Sequence, residues 1–259
     1  MQTTSKIGNQ IKFYNITLKT FLILALIFCS GLISSCATFN NDPWEKVNRP
    51  IHKFNEGLDY VLKPSAEVYR DTVPKPIRNS INNFYANLNE PYSFINSLLQ
   101  GRFRNAGKNL GRFFINSTIG ILGLFDVAGK DLEIKATQED FGQTLGVWGI
   151  NTGPYLIIPF LGPSNLRDTV SKFGVDRQIN TLPQKFDGSG NTYYIMQFFH
   201  GVRIRERFLD AEKLAQGMAL DKYILYRGIF KQNRLNQVYN GNPPKTPEQE
   251  EDESWLEDY

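Results

Sequence analysis

The stretch Asp42-Pro-Trp-Glu-Lys-Val-Asn-Arg-Pro-Ile-His-Lys-Phe-Asn-Glu-Gly-Leu-Asp-Tyr-Val-Leu62 decides the fold class. Trp44, Val47, Ile51, Phe54, Leu58, Val61 and Leu62 recur at three- and four-residue spacing, which draws one apolar face of a helix. Asp42 reads as the N-cap and Pro43 as the first helical residue, where a missing N–H costs nothing. Pro50 predicts a kink and Pro64 an end, because a proline inside a helix removes a hydrogen bond and crowds the preceding turn.

Upstream lies an export signal. Residues 1–19 are polar, with Lys6, Lys12, Lys19 and no acid, and residues 21–33 are an apolar run too short to span a bilayer. Ile33-Ser34-Ser35-Cys36 then resembles the lipobox of bacterial lipoproteins: an aliphatic residue, two small ones and a thiol that becomes the lipidated N-terminus. Cleavage after Ala37 would leave that cysteine idle; position, spacing and flanks favour lipidation at Cys36. Cys29 lies inside the apolar run and reads as filler. No aspartate follows Cys36, which in such lipoproteins points to the outer membrane. Several acyl chains anchor stably, at ~0.8 kcal/mol per buried methylene.

Downstream the helical pattern continues. One helix is expected over Pro76–Leu88, the next from Glu90-Pro91 to Gln100, and another over Arg104–Ser117. Ile119–Gly129 is apolar but punctuated by Gly120, Gly123 and Gly129, which permits bending. Residues 130–163 read as loops and short extended pieces. Ser164 or Asn165 caps a helix to about Gly174; after the turn Asp187–Asn191, helices follow over Thr192–Met218 and Asp221–Tyr239, closed by Asn240-Gly241. The segment 242–259 is proline-rich, then acidic, and is expected to be disordered. The fold class is mainly α, with a signal over 1–35, a lipidated tether over 36–41 and a helical domain over 42–241. Amphipathic helices suit both a soluble bundle and a membrane plane, and periodicity alone favours the bundle.

Composition narrows function. Of 259 residues, 41% are hydrophobic and 13% aromatic, enough for a folded domain. Apart from the leader and the acidic tail, residues 36–247 hold 26 basic and 19 acidic side chains, compatible with anionic lipid head groups. Export argues against nucleic acid. With both cysteines at the N-terminus, no downstream disulfide or cysteine metal cluster can form. His52 and His200 lack a metal partner at helical spacing, so no metal or cofactor is expected. Gly101–Asn109 has the wrong length for a phosphate loop and carries Asn where Ser or Thr would hold magnesium; no G-x-S-x-G elbow exists. The chain is not expected to be an enzyme. Arg104, Lys108 and Arg112, at i, i+4 and i+8, form a basic stripe: candidate head-group contacts, or a solvated face.

A longer pattern unites these pieces. Asp42-Pro43-Trp44 with Asn48-Arg49, then Phe54-Asn55, Arg70-Asp71-x-Val73-Pro74-x-Pro76-x-Arg78-Asn79, Phe84-x-x-Asn87-Leu88-x-Glu90-Pro91 and Leu99-Gln100-Gly101 occur in order. So do Arg112-Phe113-Phe114-x-Asn116-x-x-Ile119-Gly120, Phe125–Gly129, Phe141-Gly142-x-Thr144-Leu145-Gly146, Gly153-Pro154-Tyr155 and Leu166-Arg167-Asp168. Over Asp42–Gly241 the chain resembles the MlaA/VacJ family of outer-membrane lipoproteins. It departs from that pattern at Pro50, and at Lys222, where proline is expected.

The resemblance implies a ring-shaped assembly of amphipathic helices lying in the outer membrane, lipid-anchored and facing the periplasm, beside a trimeric porin. It implies removal of mislocalised phospholipids from the outer leaflet through an amphipathic pore. A soluble periplasmic carrier (MlaC-like) would receive them, maintaining lipid asymmetry. Within that frame Ile119, Gly120, Leu122, Gly123, Phe125, Asp126 and Gly129 are the candidate pore or hinge segment, on the expectation that few backbone contacts hold them. A scaffolding lipoprotein that only braces a porin or envelope complex is the alternative.

Overall fold

Helix α1, Glu45–Thr72, runs unbroken through both Pro50 and Pro64. Two local expectations therefore change. The helix opens after Trp44 rather than at Pro43. Pro64 does not end it. Its end is Val73, which takes an extended conformation because Pro74 disfavours α geometry in the residue before it. An internal proline costs ~3 kcal/mol, and tertiary packing offsets that here. Leu62, Ala66 and Tyr69 flank Pro64 and pack on Val202 and Leu209. Lys63–Glu212 at 3.0 Å and Arg70–Asp210 at 2.7 Å tie the same stretch across.

Helix α2, Lys75–Leu99, replaces two expected helices, because Pro91 is also internal. Its continuity follows from one face, Asn87, Glu90, Ser93, Asn96 and Ser97, buried across the proline. That face meets α3, Phe103–Thr118, whose buried positions are Ala106, Asn109, Arg112 and Asn116.

The computed structural model describes residues 42–176, 190–215 and 221–244. The chain divides into a unit Met1–Pro43 and a unit Trp44–Tyr259, and every element named here belongs to the second. The export signal, the tether with Cys36, residues 187–189 of the glycine-rich turn and the acidic tail beyond Pro244 lie outside the described residues.

The short elements that follow α3 place only one helix, Phe141–Val147, inside the stretch 130–163 expected as loops and short extended pieces. They are α4 (Val127–Lys130), α5 (Phe141–Val147), β1 (Tyr155–Ile158), β2 (Gly162–Asn165) and α6 (Leu166–Ser171), which runs into a π-helical turn over Lys172–Asp176. Helix α5 escapes a reading by apolar periodicity because it buries Gly142, Gln143 and Thr144, none of them hydrophobic. Asp140 caps it by accepting from the Gln143 N–H, and Asn165 caps α6 from Asp168, as the sequence led one to expect for α6. Strands β1 and β2 pair antiparallel, Tyr155 opposite Asn165. Asn48 on α1 treats β1 as a neighbouring strand would: its Nδ2 donates to the Tyr155 carbonyl and its Oδ1 accepts from the Ile157 N–H, both at 2.9 Å. Two helical turns on, Asn55 does the same for Ile158 and Phe160.

Helices α7 (Gly190–Ala215) and α8 (Lys222–Val238) complete the domain. Asp221 caps α8 through the Tyr223 and Ile224 N–H groups, so Lys222 in place of proline leaves this start intact. Asn240 and Gly241, both at positive φ, close it as expected. Apolar cores are small: Ala66, Val202 and Leu209 form one, and Tyr155, Ile157 and Tyr223 another. Among the described residues no helix is long and apolar enough to cross a membrane.

Candidate functional site

The domain buries its polar side chains and displays its apolar ones. On α3 the inward row is Ala106, Asn109, Arg112 and Asn116, while Phe103, Leu110 and Phe114 are exposed. On α2 the inward row is Asn87, Glu90, Ser93, Asn96 and Ser97, while Leu88, Ile95, Leu98 and Leu99 point out. Among the described residues 20 polar or charged side chains are buried against 10 hydrophobic ones, and 33 large hydrophobics are exposed. In water each exposed large apolar side chain forgoes roughly 1.5–3 kcal/mol of burial. Repeated along several helices, this pattern calls for apolar surroundings outside the protein.

The interior is held by hydrogen bonds and ion pairs. Arg112 reaches Glu90 at 2.6 Å, Asp126 at 3.0 Å and the Ile134 carbonyl at 2.7 Å. Burial pushes the Glu90 carboxyl above its usual range, with Arg112 pulling the other way. Arg234 on α8 joins Asp168 at 2.6 Å to Asp140 at 2.7 Å, linking α8, α6 and the cap of α5. Burial opposes ionisation of Asp140, yet the guanidinium and the Gln143 N–H groups hold its carboxyl below the usual range. Thr144 donates to Asn96 Oδ1 at 2.8 Å, and Asn109 Nδ2 donates to Ser97 Oγ at 3.3 Å. Such a network is the counterpart of an outward-facing apolar surface, since buried polar groups must find partners inside.

A cavity of about 580 Å³ opens where the end of α1 and the start of α2 face α7. Ala86 is the one apolar side chain in its wall; Arg70, Arg78, Asn82 and Glu206 belong to it. Glu206 lies 3.4 Å from Arg70 and also pairs with Arg78, so one carboxylate serves two guanidinium groups.

Of the residues singled out in the sequence, Cys36 lies outside the described residues. Arg104 is exposed, Lys108 half-buried and Arg112 buried in its two ion pairs, so the three do not form one stripe. The physical reason is helical drift: each four-residue step turns the position by about 40°, which carries Arg112 onto the inward face. The segment Ile119–Gly129 differs from a loosely held loop. Gly123 N–H donates to the Asn116 carbonyl at 2.7 Å, Phe125 N–H to that of Gly120 at 2.9 Å, and Ala128 N–H to Asn116 Oδ1 at 2.9 Å. Asp126 accepts from Asn116 Nδ2 and from the Gly129 N–H, each at 3.0 Å. Ile121 and Leu122 adopt φ of 51° and 55°, a left-handed conformation that costs about 1–2 kcal/mol per residue. It leaves Ile119, Ile121, Leu122 and Phe125 exposed around a hydrogen-bonded backbone. Gly123, at φ 89°, sits where a Cβ would lie 2.4 Å from Asn87 Cβ. Periodicity missed the Arg234 cluster and the cavity lining, because their partners come from distant parts of the chain. The one sequence signal for the cavity was the run Arg70–Asn79, recognisable as a pattern but silent about role.

Comparison with known proteins bears on the same fold. The family model described as MlaA lipoprotein matches residues 40–237. An uncharacterized protein of Rickettsia bellii is 39% identical over 142 residues, 54% of this chain; the match spans about half, 55%, of that relative's length. The intermembrane phospholipid transport system lipoprotein MlaA of Escherichia coli K12 is 32% identical over 234 residues, 86% of this chain and 91% of its own. Its counterpart in Haemophilus influenzae is 31% identical, over 86% of this chain and 93% of its own. A solved structure from work on the structural basis for maintenance of bacterial outer membrane lipid asymmetry superposes with a TM-score of 0.62 at 32% identity. It covers 78% of this chain and 100% of that one. On the collinear motifs, the mainly helical fold and the match over 40–237, the chain belongs to the MlaA lipoprotein family.

Proposed function

We propose that this protein is an outer-membrane lipoprotein, anchored through Cys36. In this reading it moves mislocalised phospholipids from the outer leaflet toward a soluble periplasmic carrier, maintaining lipid asymmetry. The observation that carries the proposal is the inverted domain: large apolar side chains outward on α2 and α3, polar and charged ones inside. A phospholipid needs both environments. Its head group cannot enter hydrocarbon without losing several kcal/mol of hydration, and its tails gain nothing from water. A ring of helices seated in the membrane beside a trimeric porin offers acyl chains an apolar exterior and head groups a polar passage. Transport of this kind needs no catalytic group, and the protein acts as a transport component. Ile119–Gly129, with its exposed apolar side chains on a hydrogen-bonded frame, serves as a lipid-facing edge of that passage, and Arg104 and Lys108, toward the other end of α3, meet head groups.

The test is genetic and chemical. Deleting the gene is expected to place phospholipid on the cell surface and to sensitise cells to detergent, with restoration by the wild type and not by Cys36→Ala. Surface phospholipid unchanged in a clean deletion would refute the proposal.

A further inference from the structure

We infer that the cavity between α1, α2 and α7 is a binding site for a phosphate-bearing anion. The argument is a charge census. Arg70, Lys75, Arg78 and Arg207 lie in the wall of the cavity, against two acids, Glu206 and Asp210. Both acids are committed: Asp210 to Arg70 at 2.7 Å, Glu206 to Arg70 and Arg78. Lys75 and Arg207 have no acidic partner among the described residues and are exposed to the cavity mouth.

Arg203, outside the wall but bonded to one of its residues, is 7% exposed. Its Nη1 donates to Asn82 Oδ1 at 2.7 Å, an asparagine that itself lines the cavity, and its guanidinium lies 4.3 Å from the Tyr85 ring centroid. Among the described residues it meets no carboxylate, and its Nε is buried without a hydrogen-bond partner. The Nε of Arg78 is likewise buried without a hydrogen-bond partner, while that of Arg70 has only Glu206 at 3.4 Å. A buried cation without a counter-ion is strongly destabilising, and the Arg78 guanidinium in the wall, the Arg203 guanidinium behind Asn82 and the two unpaired cations Lys75 and Arg207 offer charge and donors that a phosphate would satisfy. Asn79, Asn82 and Asn83 add neutral donors suited to a phosphodiester.

The phosphate could belong to a lipid head group or to a free anion. On the transport reading proposed above, on which this consequence rests, it belongs to a head group. The surplus positive charge then favours anionic over zwitterionic phospholipid.

The experiment uses the full-length lipoprotein in detergent, equilibrated with micelles holding equal amounts of phosphatidylglycerol and phosphatidylethanolamine, with bound lipid extracted and quantified. Phosphatidylglycerol is expected to be enriched about tenfold, the worth of one charge-assisted hydrogen bond. The double variant Lys75→Gln, Arg207→Gln, both exposed and harmless to folding, is expected to return the bound lipid to the supplied ratio. Lys53→Gln, on α1 about 25 Å of helix from Arg70, is the control that keeps the enrichment. A parallel titration with inorganic phosphate separates the sources. Enrichment that survives excess phosphate assigns the site to a head group; saturable phosphate binding that erases it assigns the site to the free anion. Lipid bound in the supplied ratio together with no phosphate binding overturns the anion site and leaves transport standing. Enrichment retained in the double variant overturns it too. If neither lipid nor phosphate binds and the gene deletion is silent at the cell surface, both readings fall.

Discussion

At the scale of single residues, the interior depends on pairs that cannot be separated. Glu90 and Arg112 are both buried, 2.6 Å apart, and Arg112 also reaches Asp126 at 3.0 Å. Removing Arg112 alone strands a buried carboxylate, and breaking such a pair costs about 3–5 kcal/mol. Arg112→Met is therefore expected to lower the denaturation midpoint of the purified protein sharply, and Glu90→Gln in the same chain to recover a large part of the loss. Chemical denaturation followed by far-UV circular dichroism checks both. No such reading was available from residue type alone. Arg112 has the same composition and spacing as Arg104 and Lys108 in the sequence, and only the rotation of α3 against α2 assigns it inward.

At the scale of elements, the contact of α1 with α7 is an electrostatic strap over a thin apolar core. Glu212 takes Lys63 from α1 and Arg205 from its own helix, while Arg205 also holds Asp59 at 2.7 Å. Burial opposes ionisation of Glu212, but hydrogen bonds from Arg205 and Lys63 outweigh it and hold the carboxyl at about 2, against an ordinary 4.5. A carboxyl depressed on folding contributes stability above its unfolded pKa, and that contribution fades as pH falls through the folded value. The α1–α7 contact is thus expected to be pH-independent above about 5 and to weaken between about 4.5 and about 2. Glu212→Gln should flatten that part of the acid-denaturation profile; an unchanged profile would show that other groups set it. The prolines belong to this scale as well. Pro64 and Pro91 read locally as an end and a start, yet both lie inside helices. Local rules assess a helix by itself, whereas α1 and α2 are kept continuous through their prolines by neighbours distant in sequence.

At the scale of the whole domain, the distribution of apolar surface makes the strongest prediction. Phe114 on α3 and Leu98 on α2 are exposed. If they face acyl chains, Phe114→Asp and Leu98→Asp place charge in hydrocarbon at about 2–4 kcal/mol each. A Cys36→Ala form carrying both is expected to float with lipid vesicles several-fold less than the Cys36→Ala form alone, with its helix content unchanged. Equal flotation would mean that the exposed apolar faces are not the membrane contact.

The sequence alone determined that the chain is mainly helical, where α3, α6 and α8 lie, and that Ile33-Ser34-Ser35-Cys36, which resembles a lipobox, precedes the domain. These are local matters of periodicity, capping and a short motif. It also determined the family, through motifs spread from Asp42 to Asp168. Which face of each helix points inward was left to the tertiary structure. Amphipathicity marks two faces on a helix without saying which one meets the solvent. That choice turns on what surrounds the protein, and it shows only when Glu90 meets Arg112 and Asp140 meets Arg234 across elements 22 and 94 residues apart.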